Sequence, residues 1–236
     1  MRYLLFVLSF FSLCLFGEVT AQTENDYSHK EPSRDGIGKI YRGREIAQLM
    51  SFHGVAWLER DSREEEENTK LTISKLPINE NSKVADVGAG SGFYTFRIAD
   101  KVPKGKVYAV DIQKEALNYI KNKAEKQKVD NVIPVLGTEK SPNLPENTLD
   151  LVIMVDVYHE LAFPKEMLLN IKKSLNPTGK LLLIEYRGED PKVAIKPLHK
   201  MTVEQVKKEL EANGFKLTTN GQFLNIQHFL LFEKED

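Results

Sequence analysis

Asp156, Tyr158, His159 and Glu160 crowd into positions 156–160, in the stretch VDVYHEL, directly after an apolar run. These side chains can exchange protons or grip a polar ligand; the same residue types also form the wet rim where a buried strand meets water. A metal site would need more than this run supplies, because no second histidine lies at ligand spacing, and none is expected. A second candidate is DVGAGSGFY at 86–94. Glycines at 88, 90 and 92 let the backbone approach a ligand where a Cβ would collide. Position 93 is phenylalanine where a dinucleotide fingerprint carries its third glycine. A G-x-G-x-G loop preceded by an acid suits a ligand with a nucleoside and a charged amino-acid tail but no phosphate. Asp111, nineteen positions after Gly92, can accept hydrogen bonds from both hydroxyls of a ribose, and its charge would repel a 2′-phosphate.

Most of these candidates stand at or just beyond the end of a short β-branched run. The runs lie at 83–88, 106–111, 131–137, 149–156 and 179–186, with helical stretches between them. Residues 113–124 place Ala116, Leu117, Ile120 and Ala124 on one face; 164–175 begin with Pro164 and bury Met167, Leu168, Ile171 and Leu175. Alternation of this kind implies parallel strands joined by right-handed crossovers, hence an α/β doubly wound sheet. A last helix is framed by a capping box, Thr202 with Gln205, and a Gly214 stop. Two extended runs follow, separated by a short loop at Asn220-Gly221, and read as an antiparallel hairpin on the sheet edge.

Ligands of open parallel sheets bind beyond the carboxyl ends of the strands, where the strand order reverses. Asp86, Gly88, Asp111, Gly137, Asp156, Glu185 and Arg187 gather on that edge by chain spacing alone. The segment at 186–201 carries Arg187, Lys192, Lys196, His199 and Lys200 on a loop expected to cross the pocket mouth. It serves there as a lid or a clamp for an anion, or else is simply solvated.

Residues 22–40 are polar, hold Pro32, Gly36 and Gly38, and show no apolar period, so they read as a linker. From 40 to 70, Ile46, Leu49 and Met50 fall at helical spacing before Gly54, and Val55, Trp57 and Leu58 open a second segment. Residues 22–70 are thus expected to form a polar linker and a helical extension, with SREEEE as a solvated helix face. The first 21 residues look like a secretory signal: Arg2, an apolar stretch from 3 to 16, and small or short residues at Val19 and Ala21. That stretch is shorter than the roughly 20 residues a membrane span needs, so no stable span is expected. The expectation is export, periplasmic or secreted, with tethering by an uncleaved signal as the lesser alternative. Cleavage after Ala21 would remove the only cysteine, Cys14, so the mature chain would have no disulfides. The whole chain has 236 residues, 41% apolar and 28% charged, with a net charge of -1. That balance implies one main core, placed at 71–236, and no field that would gather nucleic acid or an anionic membrane.

VADVGAGSG, VYAVDIQ, LPENTLDLVIMVDVYHEL, LNPTGKLLLIEYRGED and the terminal hairpin, in that order, resemble the class I S-adenosylmethionine-dependent methyltransferases over 71–236. GREIA, WLER and IKPLHKM are similar to segments of a group of often exported methyltransferase-domain proteins. The resemblance implies a Rossmann-like, seven-stranded, mostly parallel sheet with helices on both faces, and S-adenosylmethionine as cofactor. It assigns the methionine tail to the loop of Asp86, Gly88, Ala89 and Gly90, the ribose to Asp111, and the adenine to Ile112. Many members carry G-D-A after the third strand; here GTE places Thr138 at that position, with Glu139 as a substitute. Asp156 resembles the position beside the transferred methyl group. The implied activity is methyl transfer to an unidentified small-molecule or lipid-like acceptor, for which the basic loop would suit an anion. His159 is the first candidate for a base, with Tyr158 and Glu185 behind it, although a histidine at such a turn also serves as a cap. Trp57 and Arg60 are expected in the cover of the acceptor pocket. Two other functions stand beside this one: a non-catalytic module that binds the cofactor, and an NAD-dependent oxidoreductase, against which Phe93 argues. Export also conflicts with a cofactor made in the cytoplasm. The cofactor is imported, the signal stays as an inner-facing anchor, or the exported chain binds something else.

Overall fold

The computed structural model describes residues 26–235; the expected signal peptide at 1–21 lies outside the described residues. The first described elements are strands: β1 (Tyr27–His29), β2 (Gly36–Tyr41) and β3 (Arg44–Ala47), paired antiparallel in that order. This corrects the expected linker and first helix. Arg42 and Gly43 both take positive φ, 47° and 94°, the backbone of a tight two-residue hairpin turn. Ile46, part of the expected helical face, is buried as a strand residue, and so is Ala47. Three short helices follow, α1 (Val55–Leu58), α2 (Arg63–Glu67) and α3 (Thr69–Ser74). The acidic run is a helix, but only part of it is solvated: Arg63 and Glu67 are buried and paired at 2.8 Å.

The main sheet is built from β4 (Lys83–Val87), β5 (Lys106–Asp111), β6 (Val132–Leu136), β7 (Leu149–Val155), β8 (Leu175–Tyr186), β9 (Phe215–Gly221) and β10 (Gln227–Lys234). Between them run α4 (Phe93–Ala99), α5 (Lys114–Gln127), α6 (Pro164–Ser174) and α7 (Val203–Glu211). The seven strands lie in the order β6-β5-β4-β7-β8-β10-β9. All neighbours are parallel up to β8, and β10 runs antiparallel to both β8 and β9. This is the doubly wound sheet with a C-terminal hairpin that the alternation predicts. Successive residues of β8 show why both faces need helices: Leu181 and Leu183 point into the core with α6 and α7, Leu182 and Ile184 into the core with α4 and α5. Parallel strands buried on both faces read as unbroken apolar runs, as these do.

The hairpin differs in one detail. Asn220 and Gly221 pair with Leu230 and Phe229 inside the ladder, so the connection is 222–226 rather than the expected Asn220-Gly221 loop. Phe223 packs on Phe229 with ring centroids 5.0 Å apart, and Leu224 is buried; apolar burial holds this longer loop in place. No helix among the described residues is long and apolar enough to cross a membrane.

Candidate functional site

The strand order reverses between β4 and β7. Beyond their carboxyl ends opens a cavity of about 550 Å³, within the range of small-molecule sites. Its floor comes from the strand ends: Gly88, Gly90, Asp111, Asp156 and His159. Its cover comes from the N-terminal segment, with Met50, Phe52, Trp57, Leu58 and Arg60, and from Ala194, Ile195, Lys196 and His199 of the long loop. Gln113 clasps the cover to the floor, donating to the Met50 carbonyl at 3.1 Å and accepting from the Phe52 N–H at 2.8 Å.

Gly88 has φ 78°, and a Cβ there would stand 2.5 Å from Val157 Cγ2; Gly90 has φ 53° and would meet Leu58 Cδ1 at 2.7 Å. Both positions therefore need glycine, once for conformation and again for space. The loop is tied to the second strand through Asp111, whose Oδ2 accepts the Gly90 N–H and whose Oδ1 accepts the Gln113 N–H, each at 2.9 Å. Burial raises the Asp111 carboxyl above the usual carboxylate range, while those N–H groups oppose the rise. Ile112, Thr138 and Glu139 also line the cavity, and Ile112 offers a partly exposed apolar side chain.

Two of the expected cofactor residues stand back from the cavity wall. Ala89 is buried and gives its N–H to the Val110 carbonyl at 2.9 Å. Asp86 is enclosed beneath the loop, where its Oδ2 accepts the Thr95 hydroxyl at 2.6 Å and burial pushes its pKa up to about 6. Asp156 does line the cavity, in a left-handed conformation with φ 54°, unusual for a non-glycine residue though tolerated by Asp. Its Oδ2 accepts from Gln227 Nε2 at 2.8 Å, while Oδ1 has no partner among the described residues. Burial, then the nearby Glu67 and Glu185, push its carboxyl well above the usual range.

The turn after β7 separates the catalytic candidates. Glu185 is fully buried and accepts the N–H groups of Val157 at 3.2 Å and Tyr158 at 2.8 Å, while its Oε2 sits 2.6 Å from His159 Nδ1. A carboxylate there fixes the proton on Nδ1 and leaves the Nε2 lone pair free. Glu185 therefore acts through His159 rather than on a ligand. Tyr158 does not reach the cavity: it is fully buried, and its hydroxyl donates to Glu209 Oε2 at 2.8 Å. The expected grip of Tyr158 on an acceptor is corrected accordingly, because the 158–160 turn sends the Tyr158 side chain back to Glu209 while His159 and Glu160 line the cavity. Glu160 caps no helix; its Oε1 accepts the Met50 N–H at 3.2 Å and faces His199.

Sequence reasoning missed Arg63 and Tyr186, and it placed His199 on the loop over the pocket mouth without joining it to His159. His199 comes from the far loop and stands with its ring centroid 5.1 Å from that of His159. Arg63 lines the cavity while bonded to Glu67 and to the Leu58 carbonyl, both at 2.8 Å. Tyr186 donates to Glu67 at 2.9 Å. The signal for Arg63 was present in the acidic run, since a buried arginine and its glutamate sit four apart on a helix. The basic loop, by contrast, does not converge: Lys196 pairs with Asp35 at 2.7 Å, and Arg187 is turned to the Leu224 carbonyl at 3.0 Å.

Sheet order, glycine loop and strand-end acids define a Rossmann-like α/β domain with a site at its topological switch point. A family described as methyltransferase domain matches residues 78–229, and the chain belongs to it. The cofactor of this family is S-adenosylmethionine, and the nicotinamide alternative falls. The residues fit it: two glycine positions open to the cavity, the Asp111 carboxylate at the second strand, and an unpaired Asp156 oxygen. Among solved structures, a SAM-dependent methyltransferase from Aquifex aeolicus is 28% identical with a TM-score of 0.73, covering 78% of this chain and 98% of that one. The fibrillarin-like rRNA/tRNA 2'-O-methyltransferase of Thermoplasma acidophilum is 26% identical over 137 residues, 57% of each chain. This chain thus spans little more than half the length of that relative. The phosphoethanolamine N-methyltransferase of Plasmodium falciparum is 27% identical over 188 residues, 72% of this chain and 70% of that one.

Proposed function

We propose that the chain transfers the methyl group of S-adenosylmethionine to a small molecule with an apolar body and one nucleophilic oxygen or nitrogen. The observation that carries this reading is the covered cavity. Leu49, Met50, Phe52, Trp57, Leu58 and Ile195 close over the glycine loop, which leaves an apolar chamber rather than an open groove for a polymer. Its cations are committed: Arg60 and Arg63 to Glu67, Lys196 to Asp35. The basic loop therefore gives little support to a strongly anionic acceptor.

S-adenosylmethionine supplies an activated methyl on a sulfonium, whose departure needs no proton. The protein's task is to hold the acceptor in line and dry, worth up to roughly 7–11 kcal/mol. Asp111 would hold the ribose, and the backbone at Gly88 and Gly90, which lines the cavity, would receive the amino-acid tail. His159 Nε2 takes the acceptor proton, with Glu185 fixing its tautomer; a base of this kind contributes about 10²–10⁴-fold. Export by the N-terminal signal is part of the same proposal.

Calorimetry with S-adenosylhomocysteine tests the cofactor half. Wild type is expected to bind in the micromolar range, and Asp111→Ala roughly 10–100-fold more weakly, the loss of hydrogen bonds to a charged group. No binding by wild type would sink the reading. Labelled methyl appearing in RNA, and in no small molecule offered beside it, would reject the acceptor class.

A further inference from the structure

We propose that His159, Glu160 and His199 form a site for a first-row divalent cation, zinc foremost. The Nε2 of His159 stands 3.8 Å from Glu160 Oε1, and the Nδ1 of His199 stands 3.4 Å from the same oxygen. All three ligand atoms lie within 4.8 Å of one another. Both contacts are too long for good hydrogen bonds. They are close to the spacing of roughly 3.3 Å that ligand atoms take around a tetrahedral ion with bonds of about 2.0–2.1 Å. The groups converge on a common point without bonding each other.

The surroundings favour an ion at that point. Glu185 Oε2, fully buried, lies 2.6 Å from His159 Nδ1, the outer carboxylate that typically orients a metal-binding imidazole and strengthens its donor nitrogen. Glu160 is held by the Met50 N–H. Two imidazoles and one carboxylate suit zinc and its neighbours, whereas magnesium and calcium prefer all-oxygen shells. Three protein ligands leave a position for water or for an acceptor atom from the cavity they line. Nearby sequence gave no sign of this, because His199 joins the cluster from a loop 40 residues further on.

The inference stands apart from methyl transfer, although the two meet at one nitrogen. In the metal-loaded protein the Nε2 lone pair belongs to the ion, so the base role assigned to His159 applies to the metal-free protein. The untagged full chain, stripped with chelator, would be titrated calorimetrically with ZnCl₂ and with MgCl₂. One equivalent of zinc is expected to bind, with magnesium far weaker. His199→Ala and Glu160→Gln should each weaken zinc binding by roughly 100-fold or more, and Glu185→Gln by about 10–100-fold. S-adenosylhomocysteine binding by wild type, measured with and without zinc, separates this inference from the cofactor reading, and the circular dichroism of His199→Ala and Glu160→Gln, expected to match wild type, reports on folding. Zinc binding equally well to wild type, His199→Ala and Glu160→Gln would overturn the site.

Discussion

A carboxyl group enclosed at the end of a central strand is costly to keep charged, and Asp86 is such a group: 3% exposed, with a pKa pushed up to about 6 from 3.8. The folded chain then holds this proton more tightly than the unfolded chain does. Its contribution to stability is fully present below about pH 4 and is lost as pH rises through 6. By pH 7 the loss is about 3 kcal/mol. Asp86→Asn can still accept from Thr95 but has no proton to lose. Urea unfolding across pH 5–7.5 is therefore expected to show the variant gaining on wild type as pH rises; parallel profiles would refute the assignment. The acid and the glycines around it were legible as a motif because a backbone that must turn sharply at a ligand admits few residue types. That Asp86 faces Thr95 rather than the cavity was not legible, since one strand-end pattern serves both orientations. Tyr158 and His159 show the same limit: adjacent in sequence, they point to opposite sides of the turn.

Arg44 in β3 makes a buried charged contact between the small N-terminal sheet and the main domain, beside hydrogen bonds made by Tyr27, Lys39 and Tyr41. Its Nε and Nη2 grip both oxygens of Glu209 in α7 at 2.8 and 2.9 Å, and Nη1 donates to the His159 carbonyl at 2.9 Å. Glu209 is fully buried. Arg44→Leu would strand that charge and is expected to cost about 3–5 kcal/mol, whereas removing both partners in Arg44→Leu/Glu209→Leu should recover much of it. Thermal or urea unfolding of the three proteins checks this, and a single variant as stable as wild type would contradict it. The strands and helices from 83 onward could be read from sequence because each repeats its apolar pattern over a full element. The three N-terminal strands could not: they are three to six residues long, and their partners come from the start of α6, from α7 and from the 158–160 turn, distant in the chain.

For the whole molecule, the sharpest open consequence of the sequence is export. The signal pattern at 1–21 predicts a mature chain that begins at Gln22 and fractionates outside the cytoplasm. N-terminal sequencing of the fractionated protein checks this; a cytoplasmic chain that starts at Met1 would refute it and remove the conflict over cofactor supply. By itself the sequence determined the sheet class, the reversal at the C-terminal hairpin, and the glycine loop with its paired acids. Those features rest on local periodicity and on conformations that few residues tolerate, so each announces itself within a short stretch. Only the tertiary structure decided which of Tyr158, His159 and Glu185 faces the cavity, and that His199 meets His159 and Glu160. These are contacts between distant segments, set by packing and by the pairing of buried charges, and no local pattern encodes them.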